Sequence, residues 1–116
     1  MKRIRLFDRT DDYESYDAGE TIFRKGDAPD VMYVVVEGTV AIGSPDAVID
    51  RVEAGGLFGE MALIDEAPRS ASAWADTPVK LVPVSKERFH KLVTQTPHFA
   101  VQVMSIMADR LRRLMG

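Results

Sequence analysis

The sequence predicts a mainly β fold with flanking helices: an antiparallel β-roll or jelly roll followed by two carboxyl-terminal helices. Two observations lead to this fold class. Glycines and prolines divide residues 18–84 into short runs rich in β-branched and aromatic side chains, which is typical of all-β folds. From residue 85 to 115 the apolar residues recur at spacings of three and four, the period of a helix. The 116 residues fit one domain of ordinary size, so residues 1–116 are assigned to a single domain.

Six strands are predicted within the roll, and a polar segment precedes them. Short strands joined by regular turns are typical of sandwiches, barrels and jelly rolls. The run at residues 31–36 is apolar on both faces, which suits a strand covered on both sides. The acidic first fifteen residues predict a short helix or a loose arm. The strands are expected at residues 21–23, 31–36, 39–42, 48–52, 71–75 and 79–84.

Two helices are predicted after the roll. Ser85 is a suitable N-cap for the first, because a serine oxygen can accept from a free N–H of the first turn. The Thr-Pro pair at residues 96–97 supplies an N-cap and a first-turn proline for the second. The apolar face of the second helix, around Val103, Met107 and Leu111, is expected to be hidden or offered to an unidentified protein partner.

The composition excludes several classes of protein. The formal net charge of −3 argues against nucleic-acid binding, which favours a strongly basic domain. No apolar run approaches the roughly 18 residues that a membrane span requires, so we expect a cytoplasmic protein with no membrane contact. The sequence contains no cysteine, which excludes disulfides and thiolate metal sites. Its two histidines, His90 and His98, lie on separate predicted helices, so no metal site is expected.

The segment at residues 55–73 carries the chemical signal. Its closely spaced glycines permit unusual backbone angles and leave room for a ligand to touch the main chain. A short apolar turn at residues 60–64 would point its first free N–H groups outward, which suits an anion. A turn set by a proline then leads into the next strand through Arg69 and Ser70.

Two side chains of this segment suit a nucleotide. The guanidinium of Arg69 can pair with a phosphate through two parallel charge-assisted hydrogen bonds. The carboxylate of Glu60 would repel a phosphate, but it can accept a hydrogen bond from a sugar hydroxyl. Phosphate on Arg69 and ribose on Glu60 together describe a nucleotide lying in a pocket.

These residues resemble the phosphate-binding cassette of cyclic nucleotide-binding domains. Such domains occur in protein kinase A regulatory subunits, the catabolite activator protein and cyclic nucleotide-gated channels. The specific resemblance lies in Phe58-Gly59-Glu60-Met61-Ala62-Leu63 and in Pro68-Arg69-Ser70-Ala71. Supporting similarity to the first turn and early strands of that family lies in residues 19–27 and 33–40, and the whole resemblance covers about residues 19–114.

The resemblance implies roles for the cassette residues. Glu60 would accept a hydrogen bond from the ribose 2′-OH, and Arg69 would pair with the cyclic phosphate. The backbone N–H groups of Met61 and Ala62, together with Ser70, would complete the phosphate site.

Two further residues receive a role from the same resemblance. Gly59 would let the sugar approach the backbone. Arg110, on the second helix, is similar to the arginine that caps the base in some channel domains; the alternative is an ordinary cation near the end of a helix, where it suits the helix dipole.

The implied function is a regulatory sensor that binds a cyclic nucleotide, with cyclic AMP slightly favoured over cyclic GMP. It would perform no chemistry on the ligand, hold no cofactor and have no catalytic residue. One alternative is an interaction domain that has lost its ligand, in which Glu60 and Arg69 would pair with each other. A second is a metal-dependent enzyme of the cupin type, which shares the outline of a β-roll but usually requires several histidines.

Overall fold

The computed structural model describes residues 3–115, which form eight strands and two α-helices. A 3-10 turn spans Glu60–Leu63 between the sixth and seventh strands. The strands are β1 (Glu14–Tyr16), β2 (Thr21–Phe23), β3 (Val31–Glu37), β4 (Thr39–Ser44), β5 (Ala47–Glu53), β6 (Leu57–Phe58), β7 (Ser72–Ala75) and β8 (Val79–Ser85). The helices are α1 (Lys86–Gln95) and α2 (His98–Met115).

The strands form two four-stranded sheets in which every pair is antiparallel. One sheet has the order β1-β8-β3-β6 and the other the order β2-β7-β4-β5. In the first sheet Met32 of β3 lies opposite Val84 of β8. In the second, Val40 of β4 lies between Val52 of β5 and Ala75 of β7. Neighbours in a sheet are mostly not consecutive in sequence, which confirms the predicted antiparallel roll.

The six predicted strands are all present, each within two residues of its expected bounds. The structure adds two short strands that the sequence did not predict, β1 and β6. The segment before β1 is an arm rather than a helix, and it is anchored rather than loose. Ile4 and Phe7 of this arm are buried, and the N–H of Ile4 donates to the carbonyl of Gly55 at 2.7 Å.

The apolar residues of β3 alternate between two hydrophobic cores. Tyr33 and Val35 point into an inter-sheet core that the two sheets share. Met32 and Val34 point into a helix-side core, which the arm and α2 cover from the other side. A strand that is apolar on both faces therefore lies between the two cores, as predicted from residues 31–36.

Helix α1 begins as predicted, and α2 begins one residue later than predicted. The side-chain oxygen of Ser85 accepts from the N–H of Arg88 at 3.1 Å, which is the expected N-cap of α1. Helix α2 begins at His98, directly after the Thr-Pro pair. Neither helix, within the described residues, is long and apolar enough to cross a membrane.

The apolar face predicted for α2 is divided between the interior and the surface. Val103 is buried, and Met107 packs against the helix-side core. Leu111, by contrast, is 58% exposed. The helix is longer than the core beneath it, so its last turns lie beyond that core.

Candidate ligand-binding site

A cavity of about 290 Å³ lies between the roll and the carboxyl-terminal half of α2. Strands β5 and β6, the 3-10 turn, the loop before β7 and helix α2 all contribute to its wall. The seven residues that the sequence proposed as ligand-binding all line this one cavity: Gly59, Glu60, Met61, Ala62, Arg69, Ser70 and Arg110.

Arg69 is held in place by its backbone and its side chain. Its main chain pairs with the turn before β3, since its N–H donates to Asp27 and its carbonyl accepts from Gly26, both at 2.8 Å. Its guanidinium donates to the carbonyl of Val31 at 2.6 Å and to that of Gly59 at 3.1 Å. The protein itself therefore holds the guanidinium in one orientation.

The charge of Arg69 is only weakly compensated by the protein. The residue is 7% exposed, and among the described residues it is the only charged one that is buried. Its nearest carboxylate, Asp30, lies 3.6 Å away and has a side chain that is 79% exposed. Its Nε is buried and has no hydrogen-bond partner within the described part of the chain. A buried guanidinium beside a cavity, bonded mainly to neutral carbonyls, favours an anion in that cavity.

A cluster of aromatic rings packs against the guanidinium of Arg69. The central carbon of the Arg69 guanidinium lies 4.1 Å from the ring centre of Phe23, within the range of a cation–π contact. Phe23 and Tyr33 both pack on Phe58, with ring centres 5.9 and 5.2 Å away. Burial raises the pKa of the Tyr33 hydroxyl above its ordinary value, so this ring stays neutral beside Arg69 at physiological pH.

Gly59 occupies a position that only glycine fills without strain. Its φ of +73° lies in the left-handed region, and a Cβ atom there would lie 2.8 Å from Nη1 of Arg69. The missing side chain thus lets the guanidinium reach the Gly59 carbonyl. Glycine is therefore required at position 59 for two reasons: the left-handed backbone of the turn and the close approach of the Arg69 guanidinium.

Glu60 is paired with Arg110, not with Arg69. Its Oε1 accepts from Nη1 of Arg110 at 2.7 Å, and both side chains are mostly buried. Nε of the same guanidinium lies 3.2 Å from Oδ2 of Asp50, and Nη2 donates to the carbonyl of Leu57. Helix α2 is thereby joined to the 3-10 turn, β5 and β6 through one side chain.

The backbone donors of the 3-10 turn differ from the expectation. The N–H of Ala62 was expected to be free for a phosphate, but it donates to the Gly59 carbonyl at 3.2 Å. The reason is that the turn is a 3-10 helix, whose bonds connect each N–H to the carbonyl three residues earlier. Ser70 is exposed and lines the cavity.

Two residues with clear contacts to the site were missed by the sequence analysis. Phe23 lies under Arg69 and Asp50 holds Arg110, yet both belong to strands far from the cassette in sequence. One signal was present for Asp50, since a carboxylate interrupts the apolar run of β5. Among residues 3–115, no three histidine or acidic side chains lie close enough together to bind a metal ion.

Comparison with known proteins identifies relatives of several kinds. A cyclic nucleotide-gated potassium channel of Rhizobium etli is 39% identical over 93 residues, covering 80% of this chain and 26% of the channel. A CRP-like cAMP-activated global transcriptional regulator of Mycobacterium tuberculosis is 30% identical over 100 residues, covering 82% of this chain and 45% of that protein. The chain therefore spans less than half the length of these curated relatives.

A solved structure and a family model give the same assignment. The catabolite activator protein of Thermus thermophilus superimposes with a TM-score of 0.74 and 31% identity, covering 88% of this chain and 51% of that one. The sequence model of the cyclic nucleotide-binding domain matches residues 13–96, which include the cassette. This chain belongs to the cyclic nucleotide-binding domain family.

Proposed function

We propose that this chain binds a cyclic nucleotide in the cavity beside Arg69 and acts as a ligand-operated regulatory module. The observation that carries the proposal is the buried guanidinium of Arg69, which lines the cavity and, among residues 3–115, forms an ion pair only with an exposed carboxylate. A cyclic phosphate carries one negative charge, and in this position it would compensate the buried cation. Its oxygens would accept the remaining donors of Arg69 and the hydroxyl of Ser70.

The ribose is assigned to Glu60. Oε1 of this carboxylate is bonded to Arg110, and the second oxygen provides an acceptor for the 2′-OH. Gly59 has no side chain to block the sugar. Phosphate and ribose would then occupy opposite sides of one small cavity, whose volume of about 290 Å³ suits a compact ligand.

The base is assigned to the apolar part of the cavity near α2. The apolar side chains of Ile42, Ile49 and Leu114 line the cavity together with Arg110. Apolar contacts and a guanidinium stack on adenine and guanine alike, which gives little discrimination between them. The slight preference for cyclic AMP is supported by the name of the mycobacterial relative, which describes it as cAMP-activated.

The regulatory output is assigned to α2. Arg110 and Leu114 of this helix line the cavity, so a nucleotide that contacts them favours one position of α2 over others. The outer face of the helix carries four exposed apolar residues, Val101, Met104, Leu111 and Met115, at spacings of three, seven and four. Such spacing is typical of a helix that packs against another helix, which makes this face the proposed contact with a protein partner.

Thermal unfolding with different ligands tests the binding. At about 100-fold excess over the dissociation constant, a ligand adds roughly 2.7 kcal/mol to the free energy of unfolding. For a chain of this size the melting temperature should rise on the order of 10 °C with cyclic AMP or cyclic GMP. Linear AMP is the matched control. No shift with either cyclic nucleotide would favour the alternative, an interaction domain that has lost its ligand.

The absence of catalysis is tested with the same samples. Because the site is proposed to bind without chemistry, cyclic AMP incubated with the protein should be recovered unchanged by chromatography. Conversion to linear AMP at a rate that depends on protein concentration would contradict this part of the proposal.

A further inference from the structure

Asp50 occupies an unusual position for an acidic residue. It lies in the middle of β5, its side chain is only 12% exposed, and it lines the cavity proposed to take an anion. Oδ2 lies 3.2 Å from Nε of Arg110, and Oδ1 lies 3.3 Å from Nη1 of Arg113. Oδ1 also accepts from the backbone N–H of Arg51 at 2.9 Å. Both carboxylate oxygens are therefore engaged, mainly with the last turns of α2.

The guanidinium of Arg110 is shared by two carboxylates. Glu60 belongs to the cassette, whereas Asp50 belongs to a strand outside it. A ribose hydroxyl that approaches Glu60 competes for the same carboxylate that Arg110 uses. Asp50 makes no proposed contact with the ligand. It can therefore hold Arg110 in place while Glu60 shares its hydrogen bonds between Arg110 and the ribose hydroxyl.

The charges around the cavity lead to the same role. The cavity is lined by three carboxylates, from Asp50, Glu60 and Asp65, and by two guanidinium groups, from Arg69 and Arg110. An unpaired carboxylate at position 50 would repel a phosphate in the same cavity. The ion pairs with Arg110 and Arg113 neutralise the charge of Asp50, and the same ion pairs attach the end of α2 to β5.

We infer that Asp50 is a positioning residue that sets nucleotide affinity by holding Arg110 and the last turns of α2 over the cavity. The inference rests on the proposed function, since it concerns the same site. Asp50 acts through Arg110 and not through the ligand. Neither the cassette resemblance nor the family match assigns it a role.

The first test measures nucleotide affinity by isothermal titration calorimetry with cyclic AMP. The variant Asp50→Asn keeps the shape of the side chain and removes its charge, and we expect the dissociation constant to rise about tenfold. Asp76→Asn is the matched control, because Asp76 also pairs with an arginine, 3.2 Å away, but on the exposed side of the roll. Asp50→Glu, which keeps the charge, should restore part of the loss. Affinity of Asp50→Asn within twofold of the unchanged protein would overturn the inference.

The second test is a double-mutant cycle with Arg110→Ala. If Asp50 acts through Arg110, then Asp50→Asn should no longer weaken binding in the Arg110→Ala background. An equal loss in both backgrounds would show that Asp50 acts directly on the ligand and would contradict the positioning role. Arg113→Ala should have a smaller effect than Arg110→Ala, since the side chain of Arg113 is 61% exposed.

The third test needs no ligand, so it separates this inference from the proposed function. Hydrogen–deuterium exchange of the α2 amides over residues 108–115 should be faster in Asp50→Asn than in Asp76→Asn, because the last turns lose their attachment to β5. Equal exchange in the two variants would refute the positioning role even in a protein that binds cyclic AMP. Faster exchange in a protein that binds no cyclic nucleotide would refute the proposed function and the effect on affinity, but not the attachment of α2 by Asp50.

Discussion

Replacing Arg69 with alanine should abolish most of the affinity for a cyclic nucleotide, and it should also destabilise the fold. The sequence alone predicts the loss of affinity, since the phosphate would lose its counter-charge, together with an intact fold. The structure corrects this expectation. Arg69 is 7% exposed and donates to the carbonyls of Gly59 and Val31, and alanine can make neither of these hydrogen bonds.

The two magnitudes follow from these contacts. A hydrogen bond from a charged group contributes about 1.5–3 kcal/mol, so loss of two should lower the free energy of unfolding by about 3 kcal/mol or more. For a chain of this size that lowers the melting temperature on the order of 10 °C. Loss of the paired bonds to the phosphate, of similar strength, should weaken binding by about 3 kcal/mol, or roughly 150-fold.

Calorimetric titration below the melting temperature of the variant separates the two effects. Arg69→Lys keeps the charge but lacks the planar fork, so its affinity should lie between those of the unchanged protein and Arg69→Ala. Arg51→Ala is the control, because the side chain of Arg51 is 57% exposed and lies away from the cavity. If folded Arg69→Ala binds cyclic AMP within threefold of the unchanged protein, the phosphate assignment is wrong.

Three further predictions concern the site and the core. Glu60→Gln should weaken nucleotide binding less than Arg69→Ala does, because an amide oxygen still accepts from the ribose; a calorimetric loss as large as that of Arg69→Ala would count against the sugar assignment. Gly59→Ala should lower the melting temperature more than Gly26→Ala. Both positions have positive φ, but only at Gly59 would a Cβ meet another residue, Nη1 of Arg69 at 2.8 Å; equal losses would mean that this contact has no influence. Phe99→Ala should lower the free energy of unfolding by about 3–5 kcal/mol in chemical denaturation, because its ring is fully buried in the helix-side core. The exposed Val101→Ala on the same helix is its control, and similar losses in the two variants would place Phe99 outside the core.

The elements predicted correctly are those whose signal is local. Turn residues and β-branched runs lie next to each other in sequence, so they identified six strands, and Ser85 identified the start of α1. Strands β1 and β6 were missed because neither has a pattern of its own. Strand β1 is formed by pairing with β8, a partner distant in sequence, and β6 comprises two residues that pair with β3.

The same distinction applies to the candidate site. The cassette is one continuous segment, so its residues were recognised together, and the structure brings all of them to one cavity. The contacts of Arg69 with Phe23 and of Arg110 with Asp50 join segments that only the fold brings together. No periodicity or spacing within the chain carries that information. For the same reason, the pairing of Glu60 with Arg110 could be seen only in the structure, which shows where α2 packs.

The anchored arm has a consequence for how motion would spread through the molecule. Phe7 of the arm contacts the ring of Phe99 near the start of α2, edge to face with centres 6.3 Å apart, and both rings belong to one tightly packed cluster. Protein interiors are densely packed and have low compressibility, so a displacement of one side chain is transmitted to its neighbours. A rotation of α2 on ligand binding would therefore displace the arm as well. The amino-terminal arm and the carboxyl-terminal helix would then move together.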